Sequence, residues 1–550
     1  MTASLLLAKL SLLGVLATFL PLFLGFRRWR RPLAAALVVA TAALVGFSAV
    51  ALRGSSLTLA AAQGSDAAAP AASTVPVGAS LASRLPLLAA LAAVTLVALA
   101  LLTWLAYRYP AWALPAMVVV MPLRVPLPTS DGSVKLLIPL YLVTAAVLGA
   151  EVMLRDRLRP PATAPREPLR VALAVFIAVV GVSALWAGLS YAPHADGFAA
   201  AVVKLFAFYL PFAVVYALVY RHVATPQALR RLLATMVGLG AVLSLVGIAQ
   251  YATHTVFFNK AAIVREQSFG HGFRVNSLFW DPNMFSRFLI MVMLLCVALM
   301  VVTPLWRRRL AAVAVLAAAA NLFTLSRSGW LALFAGLILF GYAWLGRKRG
   351  TVALVVLVVL FGGGLAVLAE TRHVELTWGK LQHPWGINRL TGGRYYLAQA
   401  AGQMFEDHPL GGVGLGAFHL AYPEYRDRHA GKRLTESHTT PLTVAAEQGV
   451  PGLLAYLALL GLYVATALRA GPRAADRPLR LVRAGLLAVA LAFFVHSLLY
   501  NAYFEDPFVW AVFALSMAAV YRLRAWGEAM LPQGKGTPAT ADVPRRPTNA

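Results

Sequence analysis

Apolar runs of roughly 17–25 residues recur along nearly the whole chain, separated by short polar or arginine-rich segments. A helix of this length crosses the hydrocarbon core of a bilayer and satisfies its own backbone hydrogen bonds there. The pattern therefore predicts an all-α, polytopic membrane protein with about fifteen helices. We expect their centres near residues 15, 43, 96, 118, 145, 180, 211, 242, 293, 317, 338, 360, 455, 492 and 515. Four prolines interrupt one run, Ala111–Pro128, and proline breaks helices because it lacks a backbone N–H.

Arginine clusters between the runs predict the topology, because cytoplasmic segments retain Lys and Arg. We assign to the cytoplasm Arg27–Arg31, Arg155–Arg170, Arg221–Arg231, Arg307–Arg309, Arg347–Arg349, Arg469–Arg480 and the tail after Arg522. The run Leu5–Phe26 precedes its charges, whereas a cleavable signal follows them, so we expect an uncleaved helix with its N-terminus outside.

The outer face then receives an Ala/Ser/Gly-rich loop at residues 53–84, a polar loop at 251–283, a short turn at 500–507 and one large loop, Glu370–Thr440. We expect three regions. Residues 1–110 carry the N-terminal helices, 111–525 form the main membrane domain, and 526–550 form a disordered cytoplasmic tail.

Composition agrees with this class. The chain of 550 residues is 60% hydrophobic and only 13% charged, with a mean hydropathy of +0.73, whereas soluble domains are about 25% charged. The net charge of +27 is spread over the clusters between apolar runs, which the topology explains without a nucleic-acid partner. The single cysteine, Cys296, lies in an apolar run and excludes a disulfide within the chain.

The large loop is rich in ionisable side chains. It holds six of the eleven histidines: His373, His383, His408, His419, His429 and His438. Their spacings of 10, 25, 11, 10 and 9 residues lack the close pairs typical of metal ligands, so we expect neither metal nor cofactor. His438 precedes a helix, and its neutral ring could accept a proton from a sugar hydroxyl. Glu436 is close enough in sequence to orient it.

Three further motifs place cations on the same face. In Thr324–Trp330, Arg327 lies at a helix junction between Ser326 and Ser328, where its rigid fork of donors suits diphosphate oxygens. The alternative is an arginine that contacts lipid headgroups.

The second motif, Phe273–Arg287, contributes Arg274 and Arg287 beside Asp281-Pro-Asn283, which predicts a turn and a helix starting near Met284. Pure capping is the alternative for Asp281 and Asn283.

In the third motif, Gly392-Gly-Arg394 opens an amphipathic helix at Tyr395–Phe405. The glycine-rich turn His408–Phe418 is not a P-loop, because no strand precedes it and no Gly-Lys-Ser/Thr follows.

His496 and Lys204 lie near predicted helix ends, where we expect snorkelling or a satisfied packing role. The acidic turn Tyr503–Pro507 could position a hydroxyl, pair with an arginine of the large loop or simply be solvated.

This ordered set of motifs, with a large loop between the third- and fourth-last helices, resembles the O-antigen ligase and polymerase superfamily over roughly residues 110–525. The resemblance implies twelve core helices, with about three N-terminal helices added. One departure is that the family often has His-Asn before the leucine, where this chain has His438-Thr439-Thr440-Pro441-Leu442.

The resemblance implies an inverting, metal-independent glycosyl transfer in surface polysaccharide biosynthesis, at the periplasmic face of a bacterial inner membrane. The donor would be a glycan on undecaprenyl diphosphate, and the acceptor a sugar hydroxyl on lipid A–core or another lipid-linked glycan. Arg327 and Arg394 would hold the diphosphate and His438 would activate the acceptor. The expected substrate-binding residues are Arg274, Asp281, Asn283, Glu436, Ser326 and Ser328.

Three alternatives stay open from the sequence. The chain could be a polysaccharide polymerase of the same superfamily, a transporter of lipid-linked glycan, or a non-catalytic scaffold for polysaccharide export. A transporter predicts ionisable residues in mid-helix, and the sequence offers few.

Overall fold

The structure is a computed structural model that describes residues 3–24, 81–129, 132–151, 167–186, 194–257, 273–371, 383–384, 387–388, 394–427, 437–469 and 476–523. The helix expected near residue 43, most of the Ala/Ser/Gly-rich loop and the C-terminal tail lie outside these ranges.

Sixteen α-helices account for most of the described chain. They are α1 (Ala3–Leu24), α2 (Leu81–Arg108), α3 (Pro110–Val120), α4 (Ile138–Gly149), α5 (Pro168–Trp186), α6 (His194–Lys204), α7 (Leu210–His222), α8 (Pro226–Thr253), α9 (Pro282–Val302), α10 (Arg307–Thr324), α11 (Arg327–Thr371), α12 (Arg394–Asp407), α13 (Phe418–Tyr425), α14 (Thr440–Arg469), α15 (Arg477–Ser497) and α16 (Pro507–Tyr521). A π-helical turn, Leu205–Tyr209, joins α6 to α7, and a 3₁₀ turn, Pro304–Trp306, precedes α10.

Seven described helical stretches are long and apolar enough to cross a membrane, and four shorter apolar helices accompany them. The chain is therefore a helical, multi-pass membrane protein, as the run pattern predicts. The helices expected near residues 338 and 360 form one element, α11, broken at Gly346. The hydroxyl of Tyr342 lies 3.2 Å from that of Thr351, which a straight helix could not achieve, so the chain turns sharply back at this glycine.

The helix expected near residue 118 is α3, and a two-stranded antiparallel hairpin follows it where the proline-rich run ends. Its strands are β1 (Val125–Thr129) and β2 (Gly132–Leu136), and Pro126 pairs in register with Lys135. Pro126 and Pro128 cannot donate backbone hydrogen bonds and fix φ near the extended region, so they suit an isolated edge strand better than a helix. The sequence analysis predicted an all-α protein, so this hairpin is a correction to the expected fold.

α9 and α16 form the centre of the bundle. Nearly every residue of both is buried, and a helix that is apolar on all sides belongs inside a protein or a membrane. α9 packs against α8, α10, α11 and α15, so its first turn meets the ends of several neighbours. Consecutive membrane helices alternate in direction. The last turn of α15 therefore lies at the same end of the bundle as the polar segments that precede α9, α11, α14 and α16. We call this the polar end of the bundle.

The large loop is itself folded onto α14. Its helices α12 and α13 bury a small apolar core that includes Leu397, Met404 and Phe418. This confirms the amphipathic helix expected after Arg394, which α12 extends to Asp407.

The glycine-rich turn of this loop fits a break in α14. The helix breaks at Gly449, which has φ +65°, and Pro451 lacks the N–H that Glu447 would need. The amides of Val413 and Gly414 instead donate to the carbonyls of Ala446 and Glu447, at 2.8 and 3.0 Å. The glycines therefore allow the backbone of the turn to approach the backbone of α14 closely.

We expect the substitution Gly449→Ala to destabilise the protein by about 1–3 kcal/mol from backbone strain alone. Its Cβ would also lie 2.4 Å from the carbonyl oxygen of Pro409. Gly461→Ala, in the same helix with open space around it, is the matched control and should be neutral or slightly stabilising. Thermal unfolding in detergent checks this, and equal melting temperatures for the two variants would contradict it.

Candidate functional site

Arg274 is fixed at the polar end by two described contacts. Its Nε donates to the carbonyl of Thr324 at 2.8 Å, and its Nη2 donates to Oδ1 of Asn283 at 3.2 Å. The segment that carries it is clamped by the buried side chain of Gln250, which bonds both the N–H and the carbonyl of Ser277. The guanidinium therefore occupies a position set by α8, α9 and α10.

Asp281 caps α9, since its Oδ1 accepts from the amide of Asn283 at 2.6 Å. The helix begins at Pro282, two residues before the predicted start. Asn283 is also a junction, because its Oδ1 accepts from Ser326 at 2.9 Å as well as from Arg274. Asp281 thus caps α9 and also acts electrostatically on Arg394, and Asn283 joins α9 to Ser326 and Arg274.

Ser326 and Ser328 face the protein interior, whereas Arg327 between them is exposed. The two serine hydroxyls lie 3.2 Å apart, and Ser328 Oγ lies 3.4 Å from Nε2 of His496. Both serines are under 4% exposed and bonded to other side chains, so they hold the junction together.

Arg394 opens α12 and reaches the same cluster. Burial lowers the pKa of its guanidinium, as do the charges of Arg327 and Arg274, while Tyr500 and Asp281 oppose them. Arginine nevertheless stays protonated in proteins. Because the charges of Arg327 and Arg274 act on Arg394, the three guanidinium groups lie close enough to interact electrostatically although they come from three different segments.

His438 faces this field in a strained backbone conformation. Its φ is +59°, and Ser437 Oγ bridges to the carbonyl of Thr439 at 2.8 Å and to Thr443 Oγ1 at 2.6 Å. Within the described chain, its buried Nδ1 has no hydrogen-bond partner. Left-handed conformations of non-glycine residues concentrate at functional sites, so both the strain and the free nitrogen favour a role for this ring.

Burial lowers the pKa of His438 from 6.5 to about 4, with Arg394 adding to the effect and Asp281 opposing it. The imidazole is therefore neutral at physiological pH and able to accept a proton. Its ring centroid lies 6.1 Å from that of Tyr500, a residue that the sequence analysis missed.

A second polar cluster adjoins the first. Lys204 contacts Glu447 at 2.9 Å and Glu505 at 3.2 Å, so it is satisfied by ion pairs. These groups line a small, partly open cleft together with Thr440 and Asn501. In the acidic turn, Asp506 pairs at 3.4 Å with Arg287, an arginine of α9 and not of the large loop.

Other expected residues do not join the cluster. Glu436, His373 and His429 lie outside the described residues, and His419 is exposed on α13. Across the residues the structure describes, no group of three or more His, Cys, Asp or Glu side chains could hold a metal ion.

The site thus defines a class, a multi-pass membrane protein with a cationic site and a neutral histidine at one end of its helices. Residues 312–457 match the family described as O-antigen ligase. That match confirms the resemblance to the O-antigen ligase superfamily over a segment that contains Arg327, Arg394 and His438. No curated protein matches the chain.

The lowered pKa of His438 predicts a pH dependence of stability. Between about pH 6.5 and 4 the His438 ring is protonated in the unfolded chain but stays neutral in the folded protein. The free energy of unfolding therefore falls as pH falls through this window. His438→Gln removes this effect. Its melting temperature should therefore drop less between pH 7 and pH 5 than that of the wild type, whereas the exposed-loop control His419→Gln should behave like the wild type. Identical drops for all three proteins would refute the assignment.

Proposed function

We propose that the polar end binds the diphosphate of a polyprenyl-linked glycan and transfers the glycan to a sugar hydroxyl. The observation that carries this proposal is the convergence of Arg274, Arg327 and Arg394 beside the neutral ring of His438. Three like charges in one field, with Asp281 as the carboxylate that opposes them, favour binding of a multiply charged anion. The family match supports a membrane glycan transferase of the ligase or polymerase type.

The arginines would act on the leaving group. As the bond between the anomeric carbon and the diphosphate oxygen breaks, negative charge grows on that oxygen. Preorganised guanidinium groups stabilise such charge more in the transition state than in the ground state. The fork of Arg327 or Arg394 can bond two oxygens at once, and the lipid diphosphate itself supplies the activation, so the reaction needs no nucleotide.

His438 would act on the acceptor. Its ring takes the proton of the acceptor hydroxyl while the oxygen forms a bond to the anomeric carbon, opposite the departing diphosphate. This geometry inverts the configuration. A pKa of about 4 makes a weak base. A bound diphosphate would offset the charge of Arg394 and raise the pKa of His438 towards neutrality, so the base would strengthen once the donor is bound.

The setting follows from the charge pattern. Arginine clusters at the opposite helix ends support a site on the periplasmic face of an inner membrane. The proposed donor carrier there is undecaprenyl diphosphate. We propose the ligase reaction, with lipid A–core as acceptor, ahead of the polymerase reaction, and we propose residues 111–525 as the domain that performs it.

We expect His438→Ala to lower the rate of transfer by about 10²–10⁴-fold, the usual contribution of a general base. Arg394→Ala should lower kcat/KM by about 10–100-fold, because a charge-assisted contact contributes about 1.5–3 kcal/mol. The assay is glycan transfer by purified protein in detergent, where no second compartment exists. Arg308→Ala, exposed at the opposite end, is the matched control. Full transfer by His438→Ala and Arg394→Ala would exclude this site and leave a transporter or scaffold.

A second test follows from the tuning of His438. In the pH profile, kcat/KM for the donor reports the free enzyme and kcat reports the donor complex. The acid limb of kcat/KM should fall near pH 4, and that of kcat should lie at higher pH because the bound diphosphate raises the pKa. Coincident limbs would show that the donor's charge does not reach His438.

A further inference from the structure

Arg287 is a charged side chain with no exposed surface, inside the second turn of α9. Its Nη1 donates to the carbonyl of Ala502 at 2.7 Å and to Asp506 at 3.4 Å, and its Nη2 donates to the carbonyl of Asn501 at 2.9 Å. Its Nε donates to Nδ1 of His496 at 3.3 Å. A buried charge is costly unless such bonds satisfy it. One guanidinium therefore fixes the whole segment that follows α15.

The contact with His496 fixes the direction of a hydrogen-bond chain. Arginine can only donate, so Nδ1 of His496 must accept and the ring hydrogen must lie on Nε2. That Nε2–H faces Ser328 Oγ at 3.4 Å, Ser328 lies 3.2 Å from Ser326, and Ser326 donates to Oδ1 of Asn283 at 2.9 Å. Each hydroxyl then has one defined direction in which to donate.

This chain ends on the site. Oδ1 of Asn283, its final acceptor, also receives the Nη2 of Arg274. Ser326 and Ser328 flank Arg327, so the same bonds hold the backbone that presents this cation. The hydrogen-bond chain thus runs from Arg287 to Arg274, and on the way it holds the serines on both sides of Arg327.

A second branch from Arg287 reaches the histidine. The carbonyl of Asn501 accepts from Arg287, and the side-chain Oδ1 of Asn501 lies 3.3 Å from Oγ1 of Thr440. Thr440 is the first residue of α14, two positions after His438. Arg287 is therefore connected by hydrogen bonds both to the segment that carries the site arginines and to the start of α14 beside His438.

We propose that Arg287 and His496 are positioning residues that set the distance between the site arginines and His438. This inference rests on the proposed function. Both side chains are fully buried, so neither meets a substrate, and their effect is transmitted through Ser328 and Asn501. Catalysis needs this rigidity, since a displacement of about 1 Å can cost about 100-fold in rate.

The test separates the two nitrogens of His496. The amide of His496→Gln can replace the Nε2–H and donate to Ser328. His496→Asn offers an acceptor near the position of Nδ1 for Arg287 but is too short to reach Ser328. We expect His496→Gln to keep kcat within about threefold of the wild type and His496→Asn to lose about 10–100-fold, with similar melting temperatures for both. Ser516→Ala removes a comparable buried hydrogen bond, with Tyr463, far from the site and should leave kcat unchanged.

Wild-type kcat in His496→Asn would overturn the proposal. Equal losses of kcat in His496→Gln and His496→Asn would also overturn it. So would a loss of kcat in Ser516→Ala as large as that in His496→Asn at a similar fall in melting temperature. The failure of this inference is distinguishable from failure of the proposed function. If Arg394→Ala is inactive but His496→Asn is fully active, the site stands and the positioning chain does not.

Discussion

The structure depends on holding like charges together. Arg274, Arg327 and Arg394 come from three segments and lie in one electrostatic field at the end of an apolar bundle. Repulsion among them would open an unsupported site, so each needs a rigid attachment. The fold supplies these attachments through buried polar contacts: the clamp of Gln250, the junction at Asn283 and the buried guanidinium of Arg287. Such contacts are strong because water is excluded there.

The large loop contributes to the site because it is anchored. Its glycine-rich turn supplies the hydrogen bonds that the broken helix α14 lacks, and its small apolar core attaches α12 to the start of that helix. Arg394 begins this unit and His438 follows it in the chain, and the charge of Arg394 acts on the His438 ring. A flexible loop could bring a histidine near a substrate but could not hold it in a strained, partly buried conformation beside a guanidinium.

Sequence periodicity predicted most of the membrane helices, because run length and charge placement are fixed by the bilayer rather than by tertiary packing. The motifs and the family resemblance, rather than periodicity, predicted a site made of Arg327, Arg394 and His438, and the structure brings Arg394 into the electrostatic field of both Arg327 and His438. The sequence analysis did not single out Tyr500, whose ring lies beside His438. It expected snorkelling or a satisfied packing role for His496, which is buried and bonded to Arg287 and Ser328. Which face of a helix end is buried, and which polar group bonds which, depends on contacts across 40 to 200 residues that no local pattern encodes.

The most direct measurement is equilibrium binding of a polyprenyl diphosphate to the purified protein. The account predicts that the double variant Arg327→Gln/Arg394→Gln binds at least about tenfold more weakly than the wild type, since two charge-assisted contacts are lost. It predicts that His438→Gln, which acts on the acceptor, binds the diphosphate with unchanged affinity. Equal affinity of the wild type and the double arginine variant would contradict the claim that this cluster is a diphosphate site.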